Sequence, residues 1–168
     1  MDRRDLMSSV VVRSIDYVLS RQDVDPAGVH LIGRGIGALW SLYAAALDTR
    51  VKALVAHGGL LSYRALASVD RYLTESSVFI RDVLTHFDLP QVAAAVADRP
   101  LTIIAPRGPM NQEVEASQAR DAYQWTSEVY ANLGVSGHFQ VSPRSEELSL
   151  ANQYLKALGV AGVAISGA

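Results

Sequence analysis

The sequence predicts one α/β domain of three layers, with a small parallel sheet of about four strands held between helices. Three observations predict it. Short apolar runs alternate with longer segments whose hydrophobic residues recur every three or four positions. The runs are almost wholly apolar rather than alternating, as expected of parallel strands buried on both faces by crossover helices. Hydrophobic residues make up 49% of the 168 positions and charged residues 19%, so the chain can bury enough apolar surface to offset its ordering entropy, which excludes an intrinsically disordered segment.

The first helix is marked by Val10, Val11, Ile15, Val18 and Leu19, with Leu6 and Met7 on the same stripe and Asp2 as a candidate cap. The turn "DVDPAG" follows, because Pro26 fixes its own φ and biases Asp25 away from helix. Val29 to Ile32 reads as a strand, Ile36 to Leu47 as an Ala- and Leu-rich helix, and Val51 to Ala56 as a second strand ended by His57, Gly58 and Gly59. Residues 60–99 are helical in pattern, with a break at Pro90. Leu101 to Ala105 is the third strand and leads into the loop "PRGPMN". One long helix is expected from Glu113 to Leu133, stopped by Gly134, then a short strand from His138 to Val141. A last helix is expected from Ser145, its cap, to Leu158. The domain is read as residues 1–159, and residues 160–168 as a small apolar tail. Crossovers that step one way along the sheet place their helices on one face, leaving the last helix to cover the other.

Composition narrows the function. A net charge of −2 with scattered Lys and Arg gives no electrostatic footprint for nucleic acid or an anionic membrane. No apolar run approaches the roughly 18 residues of a membrane span, and the charged, helix-patterned start shows no signal peptide, so this chain gives no localisation. Without cysteine there is no disulfide, thiolate nucleophile or Cys-ligated metal, and the four histidines lack ligand spacing. No metal and no cofactor is expected.

The stretch "VHLIGRGIGALW" carries the functional question. Gly33, Gly35 and Ala38 satisfy the loose form of the dinucleotide turn. The acidic residue that should end the next strand and hold a ribose is missing, since that strand ends in His57-Gly58-Gly59. Nucleotide binding is therefore a lesser alternative. The frame Gly33-Arg34-Gly35-Ile36-Gly37 also has the form of a nucleophile elbow, G-x-S-x-G, with glycine in the serine's place.

At these residues the chain resembles a known family. "RSIDYVLSRQDVDPAGVHLIGRGIGALWSLYAAALDTRVKALVAHGGLLSYRAL" is similar to the centre of α/β-hydrolases of the acetylxylan-esterase and dienelactone-hydrolase-like group, and "FIRDVLTHFDLPQVAAAVADRPLTIIAPRGPMN" is similar to their segment through the acid-bearing strand. The resemblance implies the second half of that fold, its strands five to eight. It puts the family's serine at Gly35 and its acid at Gly108 or a neighbour, with no carboxylate before Glu113. Its histidine belongs after the last strand, where "SPRSEELS" has none; His138 comes a few residues too early. No catalytic residue is therefore expected, with His57 and His138 as weak candidates. A glycine cannot attack a carbonyl, and in a known serine hydrolase losing the nucleophile or the base costs about 10⁶-fold.

The expectation is a degenerate hydrolase-like domain kept for structure, association or ligand binding. The alternative is a carbohydrate-ester hydrolase, acting on acetyl esters through unrecognised or partner-supplied residues. Arg34, Ile36, His57 and Arg107 form the candidate ligand-binding set, the two arginines suiting an anion. His30 reads as a packed or edge residue, His86 beside Asp88 as a helix end, and Tyr123, Trp125 and Tyr130 as core or interface aromatics. In the implied fold Val29 to Ile32 would lack its outer neighbour. An open apolar edge templates association, so a homodimer or an N-terminal half-domain is the expected partner.

Overall fold

The computed structural model describes residues 3–159, with side chains from Ser9 onward; Asp2 and the tail at 160–168 lie outside the described residues. Four strands, β1 (Val29–Arg34), β2 (Val51–His57), β3 (Leu101–Ile104) and β4 (Phe139–Ser142), form one parallel sheet in the order β1-β2-β3-β4. Between and around them run α1 (Arg3–Leu19), α2 (Ile36–Leu47), α3 (Tyr63–Ala67), α4 (Leu89–Ala94), α5 (Ala116–Ala122), α6 (Gln124–Asn132) and α7 (Leu150–Ala157).

The period of two along each strand divides the core. Leu54, Ala56, Leu101 and Ile103 face the larger cluster, where Ile15 of α1, Leu39 and Leu42 of α2, Val92 of α4 and Tyr130 of α6 are buried. Val55 and Ile104 face the opposite layer, which α7 covers with Tyr154, Ala157 and Leu158. That division explains why β2 reads as an unbroken apolar run. Gly33 lets α2 lie close to the sheet, since a Cβ there would fall 2.6 Å from the Ala38 Cα.

Three expectations are corrected. The segment 113–133 is two helices, because the chain turns at Tyr123 (φ −101°, ψ 14°) and only then resumes as α6. The turn buries Tyr123 and Tyr130 with Phe139 while Trp125 stays half exposed. Residues 60–99 hold two short helices and two 3₁₀ turns, Ser76–Val78 and Val83–Thr85. Buried Asp88 organises them: its carboxylate accepts the N–H groups of Tyr63 (2.6 Å), Arg64 (3.1 Å) and Leu89 (2.7 Å), joining the start of α3 to the start of α4. Gln91 completes a capping box with Asp88, and Pro90 sits in the first turn, where its missing N–H costs nothing. The last helix begins at Leu150 with Ser149 as cap, accepting the Asn152 N–H at 3.2 Å. Ser145 instead closes a turn, accepting the Leu148 N–H at 3.1 Å.

At the edge of the sheet, β1 pairs on one side only among the described residues. The N–H groups of Val29 and Gly35 point to β2, so by alternation the backbone of His30, Ile32 and Arg34 points outward. Their side chains are exposed as well, Ile32 by 48%.

Candidate functional site

Strand β1 and helix α2 meet at Gly35, which has φ +57° and ψ −126°, a region that costs any L-residue strain. The Gly35 N–H donates to the His57 carbonyl at 2.8 Å, and its own carbonyl accepts the Ala38 N–H at 3.1 Å. The chain thus leaves the sheet in a sharp bend, and no side chain caps α2. An ideal Cβ built on Gly35 would meet nothing within 4 Å. The bend is therefore open above residue 35.

Over it lies a cavity of about 230 Å³ at the C-terminal ends of the strands, where parallel α/β sheets place their ligands. Two loops extend the sheet to form its wall. The Arg107 N–H donates to the Gly59 carbonyl (2.7 Å), and the Leu61 N–H to the Arg107 carbonyl (2.9 Å). A strap of residues 73–78 adds to the lining, tied down where the Pro109 carbonyl accepts the Leu73 N–H (2.8 Å) and the Thr74 hydroxyl (3.3 Å). Ile36, Leu39, Leu60, Leu73 and Val78 make the apolar lining; Thr74, Glu75, Arg107 and Asn111 make the polar part.

The structure brings some of the expected residues together and separates others. Gly35, Ile36, Arg107 and Gly108 all line the cavity. Arg34 is the residue before the bend, exposed and in register with His57. His57 sits at the same end of the sheet but turns toward α7: its side chain is buried, and Nδ1 lies 2.5 Å from the Tyr154 hydroxyl. Burial first, then the guanidinium groups of Arg34, Arg107 and Arg144, hold the His57 imidazole below its usual pKa, so its neutral form is favoured. His138 precedes β4 at the N-terminal end of the sheet, opposite Gly35, where Nδ1–H donates to the Asp98 carbonyl at 2.6 Å. His30 is exposed on the outer side of β1, and His86 is exposed beside an Asp88 whose carboxylate holds three backbone donors.

At the expected acid position, a Cβ on Gly108 would overlap the side-chain amide of Gln112. That amide is fixed by the Met110 N–H, which donates to Oε1 at 2.8 Å. Glu113, the first carboxylate of the loop, forms a loose pair with Arg107 at 3.9 Å and does not line the cavity. Among the described residues no group of three or more potential ligand side chains could hold a metal ion, and no helix is long and apolar enough to cross a membrane. Sequence reasoning missed Leu73, Thr74 and Glu75, which fall in the segment read as helical in pattern but are irregular in the structure, and Asn111, which lies in the loop after β3. It also missed Tyr154, which is 97 residues from His57.

The parallel sheet, the bend where its first crossover begins and the cleft above it give the chain an α/β-hydrolase-like fold. The likeness to known proteins is of that kind. The chain is 26% identical over 143 residues to the "Putative hydrolase YtaP" of Bacillus subtilis, an alignment spanning 77% of this chain and 46% of that protein. A "putative acetyl xylan esterase" of Bacteroides fragilis superposes with a TM-score of 0.63 at 18% identity, over 92% of this chain and 43% of the other. A carbohydrate esterase family 15 glucuronoyl esterase of Caldicellulosiruptor kristjansonii superposes with a TM-score of 0.65 at 15% identity, over 90% of this chain and 48% of the other. No protein-family profile matches. The chain spans somewhat less than half the length of these relatives.

Proposed function

We propose that this domain is a hydrolase-like scaffold that does not by itself perform the serine-hydrolase reaction. It keeps the cleft over Gly35 for ligand binding and the open side of β1 for association. One observation carries the reading: the elbow apex is glycine, which has no side chain to attack a carbonyl. A general base must come within about 2.6–3.2 Å of the hydroxyl it activates. His57, the imidazole at this end of the sheet, is engaged by Tyr154 and is not part of the cavity lining. The glycine also has a physical reading, because the bend survives without the strain a side chain would add.

Steady-state assays on purified protein with p-nitrophenyl acetate and with acetylated xylan test this. The expected result is hydrolysis at the uncatalysed rate. Turnover lost on His57→Gln would overturn the proposal in favour of a carbohydrate-ester hydrolase.

A further inference from the structure

The cleft's chemistry identifies the class of ligand it takes, on the reading that it is a retained binding site. Arg107 is the central feature. Its side chain is 34% exposed, and its only ionic contact among the described residues is the loose pair with Glu113. No hydrogen bond from its guanidinium is made among the described residues, although that group carries five N–H donors in a planar fork. The side chain lies over Gly58, with Nε 4.0 Å from where a Cβ on that glycine would stand. It therefore borders the cavity as an underused, two-thirds-buried donor. Asn111 lines the same cavity. Glu113 competes weakly, since its pair with Arg107 is long at 3.9 Å and partly open to water, which screens it.

The remaining walls limit what the guanidinium can hold. Leu39, Leu60, Leu73 and Val78 are apolar, and the cavity measures about 230 Å³. Inorganic phosphate would leave most of that apolar surface wet. Exposed Glu75 stands in the lining as well and repels any anion, a dianion more than a monoanion. From Arg107, the apolar wall and Glu75 together, we propose that the cleft over Gly35 binds small organic monocarboxylates. The carboxylate pairs with the Arg107 fork, and the hydrocarbon body packs on Leu39, Leu60, Leu73 and Val78. A guanidinium donates two parallel N–H···O bonds to a carboxylate, a geometry that an amide or an alcohol cannot match.

Amide-resolved NMR titration tests this with hexanoate, its neutral isostere hexanamide, and inorganic phosphate. Hexanoate should saturate and move the amide signals of Gly35, Ile36, Gly58 and Gly108. Arg107→Gln should weaken it by about 10- to 100-fold, the worth of charge-assisted hydrogen bonds, and Arg107→Lys, which keeps the charge but loses the fork, should fall between. The spectra themselves report whether either variant is folded. The proposal is overturned if hexanamide or phosphate binds as tightly as hexanoate, if neither substitution changes the affinity, or if those amides do not respond. Ester turnover by the wild-type protein would refute the inactive reading and leave hexanoate binding intact. Absence of binding would refute this inference and leave the inactive reading intact.

Discussion

Gly35→Ser returns a hydroxyl to the apex of the bend, and the structure specifies what should happen. The new Cβ meets no atom within 4 Å, so no steric clash enters. The cost is backbone strain alone: φ +57° and ψ −126° is a region in which a non-glycine residue pays on the order of 1–3 kcal/mol. At about 2–4 °C per kcal/mol for a domain of this size, the melting temperature should fall by about 2–12 °C, and the variant should fold. On the proposed reading catalysis should not return, because His57, the described imidazole at this end of the sheet, is engaged by Tyr154. Removing the base from a working serine hydrolase costs about 10⁶-fold. The assay pairs stopped-flow release of p-nitrophenol from the acetate ester with fluorophosphonate labelling read by mass spectrometry. The expected result is a folded protein with no burst and no label. A stoichiometric burst with label on position 35 would refute the reasoning, because it requires a base that the geometry does not provide.

Two further predictions follow from the same end of the sheet. Above its ordinary pKa of 6.5, His57 is neutral in both folded and unfolded chains and adds no pH dependence. As pH falls below that value the unfolded chain takes the proton and the folded one resists it, so stability declines toward the lowered folded pKa. Urea midpoints measured between pH 7.5 and 5 (on the order of the ordinary histidine range) should show this decline, and His57→Gln should flatten it; an unchanged slope would assign the decline to other groups. The second prediction concerns association. The outward backbone and half-exposed Ile32 of β1 should pair with another strand, most simply that of a second copy across a two-fold axis. Light scattering after size exclusion should give a dimer at micromolar concentration that Ile32→Lys dissociates, whereas a wild-type monomer would count against pairing at this edge.

The fold was legible because its signals are local. Each apolar run became a strand in the expected order, and the Ile36–Leu47 helix appeared with the expected limits. The turn at Gly33 to Gly37 announced its bend because glycine at that place in a strand-to-helix junction has few other uses. The long helix through Tyr123 was misread for an equally local reason, since its composition favours helix throughout. The turn at Tyr123 accompanies burial of its ring against Phe139, a contact across the fold. The strap from Leu73 to Val78 lies in the segment that reads as helical in pattern, yet it is irregular up to a 3₁₀ turn at Ser76–Val78, and Leu73 and Thr74 are tied across the fold to the Pro109 carbonyl.

The candidate site divides along the same line. Which groups are absent is a property of the chain: glycine at 35 and at 108, and no histidine after the last strand, follow from residue identity alone. Which groups converge is a property of packing. Only the tertiary structure turned His57 away to Tyr154, sent His138 to the far end of the sheet, filled the space at Gly108 with Gln112, and left Arg107 at the edge of the cleft over Gly35. Side-chain direction depends on contacts between residues up to 97 positions apart, and local sequence does not encode those distances.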